Sequence, residues 1–174
     1  MKKILLFLIL PFLGFSQGIH FSSASSLQEA RSEAIKQNKL LFMEIYAPDC
    51  HICNSFKGVF TQAAVGGVYN KNFVNYQLDI RNPANQMALK QAGIIVNATP
   101  TFVFFEPKSM KIVQARIFGE KENTVTMVNA IATKAANPAE QATQFPKRLA
   151  SGEKNPGMLV NYEEYARITG DTLA

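Results

Sequence analysis

Cys50 and Cys53 are the two cysteines of this chain, separated by His51 and Ile52. An apolar run, Leu40-Leu41-Phe42-Met43-Glu44-Ile45-Tyr46, precedes them, and a stretch with helical character follows. A thiol pair at the end of a buried strand and the mouth of a helix suits redox chemistry. A helix N-terminus presents unpaired N–H groups and a partial positive charge, which stabilise a thiolate at Cys50. The spacing lets Cys53 close a disulfide one turn later. Two other readings use the same residues: a passive disulfide, or half of a metal site. The loop such a disulfide closes is too short to remove much chain entropy. Zinc would need two further ligands, and His20 and His51 are the two histidines present. His51 lies inside the motif, so a closed tetrahedral site is not expected. No metal and no organic cofactor is expected.

The residues beside the cysteines bear on their reactivity. A protonated His51 would stabilise the Cys50 thiolate and make the disulfide more oxidising; a solvent-facing His51 would have little influence. Asp49 acts in the opposite sense, because its negative charge opposes a nearby thiolate. Its other expected role is to cap the helix that starts at Cys50.

Several elements must position this pair. Ser26-Leu27-Gln28-Glu29 is a capping-box pattern, and Leu27, Ala30, Ala34 and Ile35 then share one helical face that ends near Asn38. Leu40 to Tyr46 is apolar enough to be a strand buried on both faces. The helix after it carries Phe56, Val59 and Phe60. Thr61 is expected to cap a second helical piece, weakened by Gly66-Gly67. Phe73 to Ile80 alternates like a strand. Pro83 opens a helix and Gly93 closes it. Thr101 to Glu106 and Lys111 to Phe118 read as a hairpin across a turn at 107–110. Val125, Val128, Ile131, Ala132 and Ala135 mark an amphipathic helix ending before Pro138. Ile19-His20-Phe21 is a candidate edge strand. This order predicts an α/β fold, a mixed sheet with helices on both faces.

The chain divides further. Lys2 and Lys3, followed by the apolar run Ile4 to Phe15, read as a secretory signal over residues 1–16, with Gly14-Phe15-Ser16 as the cleavage site before Gln17. The run is too short for a spanning helix. A membrane-anchored N-terminus is the other reading. Cleavage leaves 16 basic against 13 acidic residues, a net +3 in place of +5. That excess is dispersed, so neither nucleic acid nor a membrane surface is expected as a partner. The expected location is the periplasm or the exterior, where thiols meet oxidising conditions. Residues 17–137 are expected to form the main domain. From Pro138 to residue 174 two short helical patterns follow, over 139–150 and 156–169, with Gly170 stopping the second. This tail is too small to fold alone. It must pack on the main domain, bind a partner, or begin something longer, and Gly170-Asp171-Thr172 has the look of a cap for a further helix.

From about Ser25 to Asn137 the sequence resembles the thioredoxin superfamily, and most of all its exported bacterial thioredoxin-like members. The resemblance rests on residues 42–53 (Phe-Met-Glu-Ile-Tyr-Ala-Pro-Asp-Cys-His-Ile-Cys), on Asn72-Phe73-Val74 and Leu78-Asp79, and on Ala98-Thr99-Pro100-Thr101-Phe102-Val103-Phe104. It implies a thioredoxin fold, with Cys50 as the attacking thiolate and Cys53 as the resolving thiol. Pro100 would be the family's cis-proline facing the disulfide, against the reading of an ordinary trans proline at a strand start. Thr99 would offer its backbone to an extended substrate in an added-strand mode. Glu44, six residues before Cys50, stands where thioredoxins keep a buried acid that relays a proton to the second cysteine. The other readings are an exposed strand residue, or a buried acid with no catalytic duty. Asp49 and His51-Ile52 depart from the family's Trp and Gly-Pro, so its redox poise does not transfer.

The implied function is an exported thiol–disulfide oxidoreductase acting on protein dithiols and disulfides, together with a redox partner the sequence does not name. Its direction, reductase or oxidase/isomerase, stays open. The alternative is a partner-binding module of the same fold, its thiols incidental or holding a soft metal such as Cu(I).

Overall fold

The computed structural model describes residues 17–171. The 1–16 segment read as a secretory signal lies outside the described residues, as does Thr172.

Four strands form one mixed sheet: β1 (Leu40–Tyr46), β2 (Phe73–Asp79), β3 (Thr101–Glu106) and β4 (Lys111–Ile117). Their spatial order is β2-β1-β3-β4. β1 and β2 are parallel, so a crossover must join them, and two helices make it: α2 (His51–Phe60) and α3 (Ala63–Asn72). The β1–β3 and β3–β4 pairs are antiparallel, and the last is the expected hairpin. The remaining α-helices among the described residues are α1 (Leu27–Gln37), α4 (Pro83–Gln91), α5 (Val125–Ala136), α6 (Phe145–Ala150) and α7 (Pro156–Thr169).

Side chains alternate across a strand, so β1 divides its residues between two cores. Leu41, Met43 and Ile45 join Val74, Tyr76, Leu78, Val103 and Phe105 in the first. Phe42 joins Phe56, Phe60, Tyr69, Phe102 and Phe104 in the second, with rings stacked and edge-on. Burial on both faces is why β1 reads as an apolar run broken by Glu44 alone.

Local chemistry sets the element ends, and some differ from expectation. Ser26 caps α1 by accepting the Glu29 N–H, but Glu29 turns its carboxylate to the Ser25 N–H and hydroxyl, so the box does not close on Ser26. Asp49 is not the cap of α2. Cys50 is, its Sγ accepting the Cys53 N–H at 3.0 Å. Thr61 ends α2, and Gln62 stands at the start of α3. The two glycines do not break α3. A Cβ at Gly66 would lie 1.9 Å from the Gln17 carbonyl oxygen, so the absent side chain admits the N-terminal segment. That segment is not an edge strand. It makes one isolated parallel bridge, Phe21 to Asn75, and is held besides by the Asn70 and Asn75 side chains and by the Ile19 N–H, which donates to the Phe60 carbonyl at 2.7 Å. Gly93 follows α4 at φ +69°, as a helix-ending glycine does.

The segment after Pro138 packs on the sheet. Phe145, Met158, Tyr162, Tyr165 and Ile168 enter the first core. α7 also serves the open edge of β4: the Tyr165 hydroxyl donates to the Ile112 carbonyl at 3.0 Å, and the Glu164 carboxylate accepts the Ile117 N–H at 2.7 Å. An exposed edge strand would otherwise present those groups for pairing with another chain.

Candidate active site

Cys50 and Cys53 are joined in a disulfide at the N-terminus of α2, with Cα atoms 5.3 Å apart. The two sulfurs differ in access. Cys50 is half-buried and Cys53 is 5% exposed. The reason is the helix: Cys50 is its cap, outside the first turn, and Cys53 points back onto the face that carries Phe56 and Phe60. The Cys53 N–H aimed at Cys50 Sγ is one of the orphan donors of the helix start, available to a thiolate there.

The peptide bond between Thr99 and Pro100 is cis, and Pro100 is buried just before β3. The Thr99 carbonyl oxygen lies 3.4 Å from Cys50 Sγ. Pro100 passes its own carbonyl to the Phe118 N–H at 3.1 Å, so the loop is tied to the end of β4. The sequence placed these residues some fifty positions from the cysteines; β3 pairing beside β1 brings them together.

Glu44 lies on the Phe42 face of β1, two residues on, and is 2% exposed. It pairs with Phe102 on one side and Gln77 on the other. Gln77 donates from Nε2 to Glu44 Oε2 at 2.7 Å. Burial pushes the Glu44 carboxyl up to about 7, against the Gln77 hydrogen bond and the Lys57 charge, which both lower it. A cavity of about 290 Å³ joins Glu44 to Cys53, with Lys57 and Gln77 on its wall. Glu44 is thus a buried acid beside the inner cysteine rather than an exposed strand residue.

The two flanking polar side chains are already engaged. His51 is exposed, its Nε2 3.3 Å from Glu120 Oε1 in the turn after β4. Asp49 faces Arg81 at 3.4 Å. Gln77, Lys57 and Arg81 were not singled out by sequence reasoning. For Gln77 the available signal was a polar residue inside an apolar strand, but its partner follows only from the β1–β2 register. Among the described residues no group of three or more His, Cys, Asp or Glu side chains could hold a metal ion.

Residues 23–107 match a family described as thioredoxin-like. Three solved structures share the fold. A disulphide isomerase from Xylella fastidiosa Temecula1 is 14% identical, with a TM-score of 0.52 over 68% of this chain and 96% of that one. A disulphide-isomerase from Bacteroides thetaiotaomicron, itself described as putative by name, is 27% identical, with a TM-score of 0.54 over 66% of this chain and 91% of that one. A thioredoxin from Thermus thermophilus is 20% identical, with a TM-score of 0.52 over 68% of this chain and 90% of that one. Among curated proteins no match is found.

Proposed function

We propose that this chain is an exported thiol–disulfide oxidoreductase of the thioredoxin superfamily that exchanges disulfides with extended segments of other proteins, Cys50 attacking and Cys53 resolving. The observation that carries the reading is the asymmetry of the pair. Cys50 is the more exposed of the two, caps a helix and touches Thr99; Cys53 is buried beside Glu44.

In the dithiol state the Cys50 thiolate attacks one sulfur of a substrate disulfide. A mixed disulfide forms, and one substrate sulfur leaves as a thiolate that takes up a proton. Cys53 then loses its proton and attacks Cys50 Sγ. The Cys50–Cys53 disulfide forms and the second substrate sulfur leaves, so two electrons have passed to the substrate. The reverse sequence oxidises a substrate dithiol. Glu44 is the group that takes or returns the Cys53 proton, because a carboxyl near 7 can do both at neutral pH. Pro100 and Thr99 hold the substrate: the Thr99 backbone pairs with an extended chain beside Cys50. Asp49 and His51 are the side chains placed to tune the pair, each held by its own partner, Arg81 or Glu120.

Export is supported by Lys2, Lys3 and the apolar run to Phe15. No described helix is long and apolar enough to cross a membrane. The partners of the exchange are protein dithiols and disulfides, and a redox partner that restores the starting state.

Cys53→Ser in the expressing cell is the direct test. It should accumulate mixed disulfides through Cys50 that run as high-mass bands without reductant and collapse with it. Cys50→Ser should trap none. Trapping by neither variant would sink the reading in favour of a binding module. The N-terminal residue of the protein recovered outside the cytoplasm should be Gln17.

A further inference from the structure

We propose that helix α7 is a specificity-determining clamp on the substrate loop, with Glu164 as its positioning residue; the inference rests on the oxidoreductase reading above. The substrate class is an extended peptide carrying a disulfide, aligned along Thr99.

The tail touches the segment before Pro100 and the end of β4. The segment leading to Pro100 is tied to the end of α7, where the Ile95 N–H donates to the Ile168 carbonyl at 2.8 Å. That carbonyl is one of the last-turn acceptors that a helix cannot satisfy internally. Gly170 stands against Ile95 from the same side. The second attachment is Glu164. It accepts the N–H of Ile117, the β4 residue paired with Thr101 and next to Phe118, whose own N–H holds Pro100. Glu164 also lies 3.9 Å from Arg116 Nε, and Arg116 reaches on to Glu122 while its guanidinium lies over the Phe118 ring. Glu122 shares its turn with Glu120, the partner of His51. One partly buried carboxylate on the tail therefore holds the end of β4 beside Pro100 directly, and faces the Arg116–Glu122 pair that leads towards His51. These side chains are half-buried, where a charge-assisted hydrogen bond is worth more than on an open surface.

The clamp predicts a split between substrates with and without a peptide backbone. The substrates are an extended peptide with one disulfide and hydroxyethyl disulfide, with excess dithiothreitol as reductant. Glu164→Ala should raise KM for the peptide about tenfold and Glu164→Gln, still able to accept the Ile117 N–H, about threefold. The kcat values and the rate with hydroxyethyl disulfide should stay within about twofold. Tyr165→Phe removes the tail's hydrogen bond at Ile112, far along β4 from the site, and should leave KM unchanged. An unchanged KM in the Glu164 variants, or an equal rise in Tyr165→Phe, would overturn the clamp. If Glu164→Ala does not fold, Glu164→Gln alone decides. If the wild-type protein turns over neither substrate, the oxidoreductase reading falls and the clamp with it; wild-type turnover with unaltered Glu164 variants removes the clamp alone.

Discussion

Glu44 ties the chemistry of the site to the stability of the fold. Its carboxyl stands at about 7 in the folded chain against an ordinary 4.5, with burial as the first cause. The folded state thus holds the proton more tightly than the unfolded one. Stability contributed by the neutral form is fully present below about pH 4.5 and is lost as pH rises through about 7. Glu44→Gln should flatten that slope. Above about pH 8 the variant should be the more stable protein, by roughly 3 kcal/mol, as urea unfolding across pH would show. The same variant should slow resolution of the mixed disulfide and remove an ionisation near 7 from its pH profile. A pH profile identical to wild type would leave Glu44 a buried acid without duty. His51 gives a second residue-scale outcome. Losing the imidazole should make the pair more reducing, by about 10–30 mV against glutathione buffers. An unchanged potential, or a shift the other way, would leave His51 without influence on the pair.

At the scale of elements, α3 reverses a familiar expectation. Glycine inside a helix is usually about 1 kcal/mol worse than alanine. Gly66→Ala should nonetheless destabilise the protein, because the added Cβ meets the backbone of Gln17 and Gly18, at 1.9 Å and 2.5 Å from their carbonyl oxygens. Gly58, with open space around it, should behave in the ordinary way and gain stability as alanine. Comparing the two in urea tests the contact; equal signs would dismiss it. This pair also shows what the sequence could and could not carry. Strand β1 was legible because two-sided burial leaves an apolar run with one acid in it, and the Thr99-Pro100-Thr101 motif was legible because its residue types are distinctive. Gly66 read only as a weak helix residue, since a tertiary contact 48 positions away leaves no local trace. The cap of α2 failed for a related reason: aspartate is the commoner cap, but Asp49 sits one residue too early, and a cysteine sulfur takes the position.

For the molecule as a whole, the tail decides whether the sheet has one closed core or an open flank. β4 is an edge strand, and Ile112 and Ala115 on it lie in the first core beside Phe145, Tyr162 and Tyr165. A segment contributing to the same core as β1 and β3 cannot melt by itself without uncovering them. Phe145, 3% exposed and ringed by Tyr162 and Tyr165, reports on this. Phe145→Ala should lower stability by about 3–5 kcal/mol and move a single unfolding transition, with far-UV and tyrosine signals coincident. A separate early transition, with the remaining chain unaffected, would instead describe a detachable appendage. The distinction reaches the chemistry, because the helix that fills this core is the one that holds Ile95 and Ile117 at the two sides of the Pro100 loop. If the tail and the sheet unfold as one unit, any loosening of α7 in the native state is opposed by the whole stability of the core, and the loop beside Cys50 is held at the same strength.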